Sequence, residues 1–125
     1  MDLTKARIIT EDVARLARFY ASLVGVDVVL NDYYVEVPTP TAAVAFSRRR
    51  YTETDTFGTS RTSAPPDRVI LDFEVDDIDA HVDRVDRLGV HWVLPPTTQP
   101  WGNRTMIFRD PEGNVINMFS RPGDV

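Results

Sequence analysis

Residues Thr10-Glu11-Asp12-Val13-Ala14-Arg15-Leu16-Ala17-Arg18-Phe19-Tyr20-Ala21-Ser22-Leu23-Val24-Gly25-Val26 can be laid on Val75-Asp76-Asp77-Ile78-Asp79-Ala80-His81-Val82-Asp83-Arg84-Val85-Asp86-Arg87-Leu88-Gly89-Val90. In the first copy Val13, Leu16, Ala17, Tyr20, Leu23 and Val24 recur at helical spacing; in the second Ile78, Val82, Val85 and Leu88 do so. Acidic residues open each copy: Asp12 in one and Asp76 or Asp77 in the other can accept hydrogen bonds from the unpaired amides of a first helical turn. Gly25 and Gly89 close them at the position where a helix end turns left-handed. The chain is therefore an internal duplication, each half carrying one amphipathic helix.

Working outward, a period-2 run precedes each helix. Ala6, Ile8 and Thr10 alternate with Lys5, Arg7 and Ile9, as Val69, Leu71, Phe73 and Val75 alternate with Ile70, Asp72 and Glu74. About three strands are predicted after each helix, near 26–31, 33–37 and 41–47 in the first half and near 90–94, 103–109 and 114–120 in the second. Asp110-Pro111-Glu112-Gly113-Asn114 has the composition of a tight hairpin, and Pro38-Thr39-Pro40 fills the equivalent place. Thr41-Ala42-Ala43-Val44-Ala45-Phe46-Ser47 matches Asn114-Val115-Ile116-Asn117-Met118-Phe119-Ser120, with Phe-Ser ending both. The expected fold is α+β: one domain, 1–125, of two tandem βαβββ modules. These are an N-terminal module at 1–50, a linker at 51–67 rich in Thr, Ser and Pro, and a C-terminal module at 68–125.

Composition excludes several chemistries. The 125 residues include no cysteine, which removes disulfides, thiolate nucleophiles, thiolate metal sites and iron–sulfur clusters. With 14 Lys and Arg against 19 Asp and Glu the formal charge is −5, unfavourable for a nucleic-acid backbone. Two histidines, His81 and His91, are too few for a three-imidazole site. No long apolar window suggests a membrane span or a secretory leader, so cytoplasm is the expected location.

If both sheets curve around a common axis, the faces away from the helices line one cavity. Strand parity sends Ile70, Asp72 and Glu74 there, with Lys5, Arg7 and Ile9 as first-half partners; on the terminal strands Ala42, Val44 and Phe46 match Val115, Asn117 and Phe119. The expected ligand-binding set is Lys5, Arg7, Val44, Phe46, Ile70, Asp72, Trp92, Trp101, Arg104, Asn117 and Phe119. Apolar walls would supply affinity and the polar members orientation, a mix suited to an aromatic or amphipathic small molecule, with Arg7 and Asp72 read as a structural pair across the modules rather than a catalytic acid–base pair. Trp92, Trp101, Tyr51 and Phe57 could stack on such a ligand, Trp92 and Trp101 having core or subunit contact as the alternative. Phe46 and Phe119 either line the cavity or fill it. Arg48-Arg49-Arg50 reads as a basic lip or as a solvated strand end, and a buried Lys5 with a lowered pKa could serve as base or nucleophile.

The order and spacing of Glu11-Asp12-Val13, Phe19-Tyr20, Leu23-Val24-Gly25, Val75-Asp76-Asp77-Ile78-Asp79, Gln99-Pro100-Trp101-Gly102-Asn103-Arg104 and Phe108-Arg109-Asp110-Pro111-Glu112-Gly113-Asn114 resemble the vicinal oxygen chelate superfamily. That group includes glyoxalase I, extradiol dioxygenases, fosfomycin-resistance transferases and bleomycin-resistance binding proteins. The resemblance implies metal ligands on the first and last strand of each module, positions that fall here on Lys5, Val44, Ile70 and Asn117. Only Asn117 offers a donor suited to a divalent cation, so neither metal nor cofactor is expected. His81 and His91 are read as structural.

The resemblance is nearest in character to the metal-free bleomycin-resistance branch. It implies a small-molecule-binding protein that sequesters a drug or metabolite, a role in antibiotic resistance, and a homodimer. Two alternatives remain open: a glyoxalase-like lyase or dioxygenase with a displaced metal site, and an association module whose cavity is filled. Whether any reaction is catalysed is not decided by these residues.

Overall fold

A computed structural model describes residues 2–48 and 69–122. The expected linker 51–67, which holds Tyr51 and Phe57, lies outside the described residues, as do Arg49 and Arg50 of the expected first module. The chain divides into two compact units, Met1–Ser63 and Ala64–Val125.

In the first unit β1 (Lys5–Ile9) leads into α1 (Val13–Val24), followed by β2 (Tyr34–Pro38) and β3 (Ala43–Ser47). The helix starts where the sequence places it: Asp12 accepts from the Arg15 amide at 3.2 Å. It stops at Gly25, whose φ of 88° lets its amide and that of Val26 both return to the Ala21 carbonyl. The sheet order is β1-β3-β2, β1 running parallel and β2 antiparallel to β3. Leu16, Ala17 and Tyr20 of α1 are buried together with Val35, Val37, Val44 and Phe46, and the Tyr20 and Phe46 rings lie 5.0 Å apart.

The strand expected near 26–31 does not form. Burial does alternate there, with Val26, Val28 and Leu30 half-buried between exposed Asp27 and Val29, but no backbone ladder joins the segment to a strand among the described residues. Alternation fixes which side chains turn inward; it does not by itself create hydrogen-bond partners. Asn31 instead ends the segment, its Oδ1 accepting from the amides of Tyr33 and Tyr34 at 3.0 and 2.8 Å, which sets the start of β2.

In the second unit β4 (Ile70–Glu74) is followed by a 3-10 turn (Ile78–His81), α2 (Val82–Arg87), β5 (His91–Thr98), β6 (Arg104–Arg109) and β7 (Val115–Ser120). Asp77 caps the 3-10 turn through the Asp79 amide, so the second helical copy opens more tightly than the first. The sheet order is β4-β7-β6-β5, with β4 parallel to β7 and the other pairs antiparallel. Met106, Phe108, Ile116 and Met118 share one face by register and are buried, as are Ile78 and Val85 from the helical segment. Pro95 and Pro96 lie in β5, an edge strand, where the register shifts and missing amides cost little.

The hairpin expected at 110–114 is present. Asp110, 4% exposed, accepts from the amides of Glu112 and Asn114 and from the Asn114 side chain, all within 2.9 Å. Thr39 and Ala42 close the β2–β3 hairpin in the same way, through backbone and hydroxyl contacts.

Candidate functional site

The 110–114 hairpin fixes the register of β7 on β6, pairing Arg109 with Val115 and so Ile107 with Asn117 and Thr105 with Phe119. On the other side β7 sets Ile70 beside Val115, Asp72 beside Asn117 and Glu74 beside Phe119. These residues occupy the face of the second sheet opposite the buried Met106, Phe108, Ile116 and Met118. A cavity of about 480 Å³ opens on that face. Its apolar walls are Ile70, Ile107, Val115, Phe119 and Trp101, and its polar lining is Asp72, Gln99, Asn103, Thr105 and Asn117.

The polar groups are organised across three adjacent strands. The buried Thr105 hydroxyl donates to Asn117 Oδ1 at 2.5 Å, and Asn117 Nδ2 donates to Asp72 Oδ1 at 2.9 Å. The first contact fixes which end of the amide carries the donors, and the second aims them at the carboxylate. Trp101 stands at the rim, 70% exposed, on a turn closed by Gly102 to Gln99 and Gln99 to Asn103 backbone bonds. Gly102 is required there twice over: its φ is 103°, and a Cβ would lie 2.9 Å from Pro122 Cγ.

Five of the eleven sequence-predicted residues, Ile70, Asp72, Trp101, Asn117 and Phe119, meet in this cavity. Four others are corrected. Val44 and Phe46 pair with Ala6 and Ile8 on the helix-packed face of the first sheet, and Phe46 is fully buried against Tyr20. Matching Phe-Ser with Phe-Ser misplaced them by one residue. The observed registers set Lys5 beside Ala43 and Ile70 beside Val115, which makes Ala45 the counterpart of Asn117 and Ser47 that of Phe119. Trp92 pairs with Phe108 on the helix-packed side, its ring 5.6 Å from that of Phe108 and its Nε1 donating to Asp86 Oδ1 at 2.9 Å. Arg104 also points away from the cavity: it grips Asp79 with two bonds of 2.6 and 2.9 Å and Thr98 with a third. That contact holds the Asp79 carboxyl below its ordinary pKa.

Lys5 and Arg7 share the face of the first sheet opposite α1 with Ala45 and Glu36. Lys5 is not a depressed-pKa nucleophile. It is exposed and ion-paired with Glu36 at 2.9 Å, a hydrogen bond that raises its pKa, while Tyr34 and then Lys5 lower that of Glu36. Arg48 reaches the Glu11 carbonyl at 3.4 Å. His81 accepts at Nδ1 from Arg84, 2.6 Å away, since a guanidinium can only donate; His91 is exposed at the start of β5.

Sequence reasoning missed Gln99, Asn103, Thr105 and Ile107. The last two were recoverable by counting back from the hairpin, which fixes the partners of Asn117 and Phe119.

The family-type metal positions do not fit a divalent cation. With the register corrected they are Lys5, Ala45, Ile70 and Asn117: one protonated amine, two side chains without donors, and an amide oxygen already taken by Thr105. Among the described residues no group of three or more His, Asp or Glu is gathered to hold a metal.

No curated protein matches this chain significantly. Among solved structures it is similar to a glyoxalase/bleomycin resistance protein/dioxygenase family enzyme from Burkholderia phytofirmans PsJN, with a TM-score of 0.81, 18% identity, and 96% of this chain and 98% of that one covered. It is also similar to a protein of unknown function from Agrobacterium tumefaciens (TM-score 0.71, 25% identity, 96% and 94% covered). The fosfomycin resistance protein FosX from Mesorhizobium loti gives a TM-score of 0.67 at 17% identity, with 100% and 93% covered. The family description that fits the sequence itself spans residues 3–118, so the chain belongs to the glyoxalase/bleomycin resistance protein/dioxygenase superfamily.

Proposed function

We propose that this protein is a metal-independent small-molecule binder that sequesters an aromatic or amphipathic ligand in the cavity of its second unit. The observation that carries the reading is the Thr105–Asn117–Asp72 chain of hydrogen bonds set among Ile70, Ile107, Val115 and Phe119. A few oriented polar groups among apolar walls, in a volume of about 480 Å³, are what a small-ligand site needs. The donor set at the family's metal positions supports binding over metal-assisted turnover, because a Lewis acid has no ligands there to hold it. A resistance role by sequestration is consistent with this chemistry, as no bond of the ligand need break.

Saturable quenching of Trp101 fluorescence by a member of a library of aromatic antibiotics, measured in a Trp92→Phe background, is the expected result. Phe119→Ala should weaken it. Turnover of a methylglyoxal–glutathione adduct or of catechols that requires an added divalent metal would overturn the reading.

A further inference from the structure

The cavity has a charge asymmetry that its apolar walls conceal. Among the described side chains that line it, Asp72 is the single ionisable one. Its Oδ1 is occupied by Asn117, and its Oδ2 carries no hydrogen bond from any described residue. Asn117 spends its oxygen on Thr105, so among the described residues the lining presents an exposed carboxylate acceptor and no cationic side chain. Two aromatic side chains, Trp101 at the rim and Phe119 two residues along β7 from Asp72's strand partner, line the same space. A carboxylate in a cavity that also has aromatic walls favours a group that is positive, flat and rich in N–H donors. A neutral ligand would cover the exposed Asp72 carboxylate without replacing the water it displaces, and an anion would be repelled.

We infer that the ligand class of this cavity is a planar organic cation whose N–H group bonds Asp72 Oδ2 while its ring lies against Trp101 and Phe119. The inference rests on the cavity being a binding site, as proposed above. It assigns Asp72 to ligand recognition and Thr105 to positioning, the threonine acting through the amide of Asn117.

Three acridines of nearly equal shape test it by calorimetric titration of the whole chain: 9-aminoacridine as its cation, neutral acridone, and acridine-9-carboxylate. The cation should bind saturably and about tenfold more tightly than acridone, as a charge-assisted bond would give, with the carboxylate weakest. Asp72→Asn should abolish the preference, bringing the 9-aminoacridine affinity down to that of acridone in the same variant. Asp83→Asn removes the same charge from an exposed position on α2 and should keep the preference. Acridone or the carboxylate binding as tightly as the cation, or a preference that survives Asp72→Asn, overturns the cation inference while the cavity still stands as a binding site. No saturable binding by any of the three overturns both. The comparison within the wild-type protein decides the matter even where a variant fails to fold.

Discussion

Asp110 shows how much one side chain can determine. It is buried, ionisable and tolerated because three donors of its own hairpin converge on it. Asp110→Ala strips those donors of their acceptor and should cost about 2–3 kcal/mol in urea unfolding. Ligand affinity should fall with it, since the same hairpin holds β6 and β7 in the register that brings Thr105 and Asn117 together. The Asp79–Arg104 pair is more exposed and contributes less, but it leaves a pH signature. A carboxyl whose pKa is lowered in the folded state contributes stability above its unfolded pKa, and that contribution is lost as pH falls through the folded value. Asp79→Asn should therefore flatten the decline in stability below about pH 4, as followed by thermal unfolding at stepped pH.

Elements were legible in the sequence wherever local chemistry and periodicity agreed. Asp12 and Gly25 bound α1 as read, and Asp110 to Asn114 makes the hairpin as read. The failures arose where the answer depended on pairing between distant segments. Phe46 and Phe119 occupy matching places in two similar strings, yet β3 pairs with β1 one residue away from the way β7 pairs with β4. A slip of one residue turns a side chain to the opposite face, so one phenylalanine became core and the other cavity wall. Residues 26–31 failed for a related reason, having strand-like side-chain alternation without a ladder. Trp92 and Arg104 were misplaced because residue type alone does not reveal a partner such as Asp86 or Asp79. The two phenylalanines separate experimentally. Phe46→Ala should cost about 3–5 kcal/mol of stability, whereas Phe119→Ala should cost less and weaken ligand binding about tenfold; chemical unfolding and titration of both variants check this.

At the scale of the molecule, the two units carry different chemistry on the sheet faces turned away from their helices. In the first, Lys5, Glu36 and Tyr34 satisfy one another beside Ala45; in the second, Ile70, Asp72 and Asn117 line a cavity in which Asn117 donates to the Asp72 carboxylate. Among the described residues no helix is long and apolar enough to cross a membrane. The central claim concerns the second unit alone: its cavity is where a small molecule binds. The most direct test is a titration of the isotopically labelled protein with 9-aminoacridine, followed by amide and side-chain NMR shifts. The account predicts shifts centred on Ile70, Asp72, Trp101, Thr105, Asn117 and Phe119, with the Asn117 side-chain amide among the largest. Shifts confined to the opposite face, around Trp92, Phe108 and Ile116, or no saturable shifts at all, would contradict it.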